Sequence, residues 1–192
     1  MKTATNKSGV TGILLAAATI VLVWASAGLA QQSLGELIKQ YQADWLIGRW
    51  SSVLDKEKKV QLVYKWQIEN HLLAVDFTAG DYRLHGLIFF VPGEDQVVEV
   101  AIDSKGGLAK GAWDIEGDQL VCKSLLTGPD GNTQKVAVHH AKIDDNKMKV
   151  SLYKLTDDGR REENPWAVLE YKRKAPKPQT EKPDKKSRKS TE

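Results

Sequence analysis

Residues 103–113 read DSKGGLAKGAW, with three glycines in eleven residues between two runs of alternating polar and apolar character. A phosphate-cradling loop of the Walker type needs Gly, four residues, Gly, Lys and then Ser or Thr, opening a helix. From Gly106 the spacing reaches Gly111, but Ala112 and Trp113 stand where the lysine and the hydroxyl belong. The stretch therefore reads as the turn and second strand of a β-hairpin. With Ser104 to Gly107 as the loop, Asp103 faces Leu108, Ala101 faces Lys110, Val100 faces Gly111 and Val98 faces Trp113. This register puts Val98, Val100, Ile102, Ala109, Gly111, Trp113 and Ile115 on one face, and Glu99, Asp103, Lys110 and Asp114 on the other. Such sorting is expected of strands with one face on a core. Gly106 and Gly107 supply turn conformations with positive φ. Gly111, in mid-strand on the inner face, leaves room for a bulky neighbour, a bend or a ligand.

The same bookkeeping extends in both directions. If Gly117-Asp118 is a two-residue turn, Ile115 faces Leu120 and Trp113 faces Cys122, so Cys122 and Ser124 point inward. A five-residue loop, Gly128 to Asn132, places Val136, Val138 and His140 inside, and pairing through Asp144 to Asn146 adds Met148, Val150 and Leu152. Upstream, Val60, Leu62, Tyr64, Trp66 and Ile68 alternate with Gln61, Lys65 and Gln67. Strands are expected near 49–54, 60–68, 72–79, 82–91, 96–103, 108–116, 119–126, 133–143, 147–155 and 166–173, mostly joined by turn-rich links. In 82–91 (YRLHGLIFFV) both faces are apolar, and either Gly86, Ile88 and Phe90 or His85, Leu87 and Phe89 line the inside. Ten short strands from one small domain close most economically on themselves, because closure removes unpaired edges. The expected fold is all-β, an antiparallel up-and-down barrel of about ten strands with one short N-terminal capping helix.

That helix, at about 33–45, is announced by Ser33-Leu34-Gly35-Glu36, which fits a capping box, and by Leu34, Leu37, Ile38, Tyr41 and Trp45 at helical spacing. Before it, Lys2 and Lys7 precede the apolar run Ile13 to Val23, and Gly28-Leu29-Ala30 ends the segment, so residues 1–30 read as a secretory signal peptide cleaved after Ala30. A retained anchor is the rival to cleavage, since residues 12–30 are nearly uncharged. After cleavage no stable membrane span is expected, and the protein is expected to be secreted or periplasmic. Residues 174–192 hold seven basic and three acidic side chains with prolines and no large apolar residue, a composition that does not support a folded core. The remaining domain, 31–173, carries 19 basic and 22 acidic residues, so the chain's net charge of +3 comes from its ends. The tail suits weak electrostatic contact with anionic envelope polymers; no specific nucleic-acid partner is expected. One cysteine, Cys122, excludes an intramolecular disulfide.

The inferred interior is apolar, with Cys122, Ser124 and His140 as polar points. This is the composition of a small-molecule site, although small barrels are also filled by their own side chains. The candidate pocket comprises Tyr64, Trp66, Val100, Gly111, Trp113, Cys122, Ser124, Val138, His140 and Val150. Its expected ligand is an apolar or amphipathic small molecule, with haem on His140 as an alternative. A structural or envelope-interaction protein with a solid barrel is the alternative of another class. Adjacent His139 and His140 point to opposite faces and cannot chelate one metal; no zinc-type pair occurs, and no metal site is expected. Cys122 with His140 could make a nucleophile and base, but a lone buried cysteine is an inert small hydrophobe more often than a nucleophile. No enzymatic activity is expected. Trp45, Trp50, Trp66, Trp113 and Trp166 are expected to bury large areas.

Gly48-Arg49-Trp50, preceded by Asp44-Trp45-Leu46-Ile47, resembles the G-x-W opening of the calycin superfamily, the lipocalins and fatty-acid-binding proteins. The later D-S-x-G-G-x-x-x-G-x-W, the G-D turn and Pro129-Asp130-Gly131 resemble, more narrowly, a lipocalin-like domain of secreted bacterial proteins. The resemblance spans roughly residues 42–173. It implies a calycin-type barrel and ligand carriage, and it brings no catalytic residue. It further implies that Gly48 and Trp50 close one barrel end against a basic residue of the last strand, a part for Lys172 or Arg173. The arginine-x-tyrosine clamp that fatty-acid-binding proteins set on a carboxylate is not reproduced by Glu170-Tyr171-Lys172-Arg173.

Overall fold

The computed structural model describes residues 32–54 and 58–175. The signal peptide read at 1–30 and the tail from 176 lie outside the described residues. Ten antiparallel strands, β1 (Gly48–Leu54), β2 (Lys58–Ile68), β3 (Leu72–Ala79), β4 (Tyr82–Val91), β5 (Gln96–Asp103), β6 (Leu108–Glu116), β7 (Gln119–Thr127), β8 (Thr133–Asp144), β9 (Lys147–Lys154) and β10 (Ala167–Arg173), follow one another around the wall. Each pairs with its sequence neighbours, and β10 returns to β1, so the barrel is closed. Closure pairs the two strands that would otherwise present free edges.

Period-two alternation sets which side chains enter the core. The inner face carries Val60, Leu62 and Tyr64 of β2, Leu73 and Val75 of β3, and Ile88 of β4. Met148 and Val150 of β9 and Tyr171 of β10 complete a single buried cluster. In β4 the inward set is Gly86, Ile88 and Phe90, and His85 points outward, its Nδ1 donating to Asp76 Oδ1 2.7 Å away. Register across β6, β7, β8 and β9 matches the expected pairing: Trp113 faces Cys122, Cys122 faces Val138, and His140 faces Val150.

The β5–β6 hairpin departs from the expected register by one residue. Ile102 pairs with Leu108, Glu99 with Gly111 and Val97 with Trp113, which makes the loop five residues long, 103–107. Asp103 stabilises it: its Oδ1 accepts from the amides of Lys105 and Gly107, at 2.7 and 2.9 Å, and its own amide donates to the Gly107 carbonyl. Gly106 takes φ +87°, whereas Gly107 is needed for space, since a Cβ there would stand 2.6 Å from Asp103 Oδ2. The slip exchanges the two faces of β5. Val100, expected in the pocket, and Ile102 lie on the outside, 40% and 57% exposed, and Glu99 turns into the barrel.

Ser33 caps the N-terminal helix as its sequence requires. Its hydroxyl accepts from the Glu36 amide, and its own amide donates to Glu36 Oε2 at 2.8 Å. The helix, α1 (Leu34–Gln40), is shorter than the apolar spacing suggests. Gln42 at φ +52° breaks it, and the chain resumes as a 3-10 turn, Asp44–Leu46. α1 is fastened to the β2–β3 hairpin by a bond from the Gly35 amide to the Asn70 carbonyl. Trp166 precedes β10 and is 54% exposed, so it is not the core tryptophan its position suggested. Among the described residues no helix is long and apolar enough to cross a membrane.

Candidate functional site: a capped cleft above a buried polar cluster

The helix end of the barrel is held by Arg173 on β10. Its guanidinium lies 4.1 Å from the centre of the fully buried Trp50 ring, donates to the carbonyls of Ile47 (2.8 Å) and Asp145 (3.0 Å), and also reaches the Trp45 carbonyl. Gly48, at φ +140°, makes this approach feasible, because a Cβ there would stand 2.5 Å from the Arg173 Nη1. Trp50 completes the closure by donating its indole N–H to the Leu46 carbonyl at 2.9 Å. Gly48, Trp50 and Arg173 thus form the contact expected of them, and Arg173 rather than Lys172 is the basic partner.

The closure is one-sided. Between the α1 and 3-10 segment and the β4–β5 and β6–β7 hairpins lies a cleft of about 710 Å³. Leu34, Leu37 and Ile38 form its cap wall, and Ile88, Phe90, Val97, Trp113 and Leu120 its barrel wall. All five barrel positions are inward by register. Leu37 lines the cleft without belonging to the packed core around Leu34 and Leu46. The charged side chains at its edge are Asp95, Asp114 and Lys123, and Lys123 is ion-paired with Glu116 at 2.6 Å.

Adjoining this cleft through Trp113, a cluster of polar side chains sits on inward positions of the barrel. Trp113 belongs to both regions: it lines the cleft, and its indole N–H donates to Glu99 Oε2 at 2.9 Å. The Cys122 thiol points at the same oxygen from 3.8 Å and lies 3.2 Å from the Ser124 hydroxyl. Beside them the Tyr64 hydroxyl and His140 Nε2 are 3.0 Å apart, and Trp113 and His140 rings lie at 5.1 Å between centres. Gly111 is the gap that Ser124 fills: a Cβ there would fall 2.2 Å from the Ser124 hydroxyl and 2.8 Å from the Lys123 carbonyl.

Electrostatics follow from depth. Burial raises the Glu99 carboxyl above the ordinary glutamate value, against the bonds from Trp113 and Cys122 that favour its charge. Burial, then the Glu99 carboxylate, pushes the Tyr64 hydroxyl and the Cys122 thiol well up. His140 is pushed down to about 4 by burial. At neutral pH the cluster therefore holds a phenol, a neutral imidazole and a thiol. The thiol is not the thiolate that nucleophilic chemistry uses, and His140 is bonded to Tyr64 rather than to Cys122.

Of the expected pocket residues, Trp113 lines the cleft itself. Tyr64, Gly111, Cys122, Ser124 and His140 come together in the cluster that adjoins it. Val138 and Val150 are inward wall positions facing Cys122 and His140 in register, and Trp66 packs against the core. Val100 is outside. His140, the residue read as an alternative haem ligand, has Nε2 engaged by Tyr64 and Nδ1 buried without a partner. Sequence reasoning missed Glu99, which the one-residue slip concealed. It also read α1 as closure alone, whereas α1 supplies half the cleft wall.

A closed ten-strand antiparallel barrel with a helical cap is compatible with a calycin-like fold. No protein-family model matches the chain, and no curated protein matches it.

Proposed function

We propose that this chain is a secreted or periplasmic, lipocalin-like binding barrel that carries an apolar or amphipathic small molecule in the cleft between α1 and the β4–β5 and β6–β7 hairpins. The observation that supports this reading best is the cleft itself. Its volume of about 710 Å³ suits a small organic molecule, and its walls are apolar side chains from two independent elements. The polar groups that adjoin it are few, as in a site that orients a ligand with one polar end. Binding rather than catalysis is the better reading because burial keeps the Cys122 thiol protonated and the His140 imidazole is bonded to Tyr64 rather than to that thiol. Native mass spectrometry of the protein purified from the cells that make it tests this: a discrete non-covalent adduct is expected. A bare mass, with no uptake of an apolar fluorescent dye, would favour a barrel that serves as a structural or envelope-contact element.

A further inference from the structure

We propose that Glu99 anchors the polar end of the ligand, and that this end is an amine or similar cationic hydrogen-bond donor and not a carboxylate. The inference rests on the cleft being the ligand site. Glu99 is held in place from one side. Its Oε2 accepts from Trp113 at 2.9 Å and faces the Cys122 thiol, whereas its Oε1 accepts from no group among the described residues and is not one of the sealed, unpartnered polar atoms of the interior. That oxygen is the free hydrogen-bonding position of Glu99, which is half-buried on an inward position of β5.

Glu99 does not itself line the cleft, but its immediate neighbours do. Val97, two residues earlier on the same face of β5, Ile88, its partner on β4, and Trp113, its hydrogen-bond donor, all line the cleft. The surrounding charge has the sign that favours a cation. Asp95 and Asp114 stand at the edge, and the edge lysine, Lys123, is shared between Glu116 at 2.6 Å and Asp114 at 4.0 Å. The basic side chains on inward positions at this end are already engaged, Arg173 with the backbone carbonyls of Ile47 and Asp145, and Lys142 with Asp145 at 2.7 Å. A carboxylate entering here would meet Glu99 without a compensating positive charge, which is costly in a dry interior. An ammonium supplies the counter-charge and the donor that Oε1 lacks.

The test uses the full chain loaded with Nile red and displaced by three molecules with the same twelve-carbon tail: dodecylamine, dodecan-1-ol and dodecanoate. Dodecylamine should displace the dye at least tenfold more tightly than the alcohol, with dodecanoate weakest. This order needs no mutant. Glu99→Gln, which keeps an acceptor for Trp113, should bring the amine to the level of the alcohol, each displacement being read against the variant's own dye affinity, while Glu170→Gln on the outer face of β10 changes nothing. Dodecanoate displacing as well as the amine, or an amine preference that survives Glu99→Gln, overturns the assignment of Glu99 and leaves the cleft reading standing. No dye uptake by the wild-type chain sinks both.

Discussion

Glu99 sets a carboxyl in a place where charge is expensive, and its effect on stability has a definite sign. Its carboxyl is raised from 4.5 by burial, with Tyr64 and Cys122 as titratable neighbours. The stabilising contribution of such a group is complete below its unfolded value and is lost as pH rises through the folded one. Glu99→Gln should therefore stabilise the ligand-free protein at pH 8 by about 1–3 kcal/mol, the usual cost of an incompletely satisfied buried group, as read by urea denaturation. A destabilised variant would mean that both carboxylate oxygens of Glu99 are paired in the folded protein. His140 has the opposite sign. Depressed from 6.5 to about 4, it contributes stability that is complete above 6.5 and is lost as pH falls from there towards 4. Its ring protons should titrate near 4 by NMR, and a midpoint near 6.5 would mean that the ring is solvated. Gly111→Ala forces a Cβ against the Ser124 hydroxyl and the Lys123 carbonyl, at a cost of about 1–3 kcal/mol. Adding Ser124→Gly should recover part of that, because it removes one of the two clashes. At this scale the sequence was readable wherever the register was. Trp113, Cys122, Ser124 and His140 face inward as expected. Glu99 was hidden because Val98, Val100 and Ile102 make the outer face of β5 look like the core face.

Among the elements, the last strand and the cap show what closes the barrel and what leaves it open. Arg173→Lys keeps the charge but loses the planar stack on Trp50 and the forked donation to the carbonyls around it. A loss of about 2–3 kcal/mol is expected, and a loss below about 0.5 kcal/mol would show that the clamp is incidental. The N-terminus of α1 was legible because a capping box is local chemistry: Ser33 and Glu36 satisfy each other's amides regardless of the rest of the fold. Its C-terminus was not, since the apolar spacing continues through Tyr41 and Trp45 while the backbone turns at Gln42. The turns at 117–118 and 128–132 keep the register that their lengths imply. The 103–107 loop did not, because the Asp103 side chain caps a turn one residue longer than the glycines alone require.

Taken whole, the chain's alternation and regular turns made a closed meander the economical solution, and all ten strands stand where alternation put them, to within two residues at most ends. What alternation cannot encode is hollowness. A barrel filled at mid-height by Tyr64, His140 and Ser124 and open beneath its cap has the same inward pattern as one that is solid throughout. The location of the cleft comes from tertiary placement, with α1 fastened to the β2–β3 hairpin and standing off from the β4–β5 and β6–β7 hairpins. Leu37 is the side chain that separates the two cases, because it lines the cleft without holding the core. The decisive measurement is a Nile red titration of the purified protein and of Leu37→Glu with matched thermal unfolding. Saturable, one-to-one enhancement by the wild type, weakened at least tenfold in a Leu37→Glu variant that melts within a few degrees of it, is the predicted result. No enhancement, or enhancement indifferent to Leu37→Glu, would contradict a ligand site in this cleft.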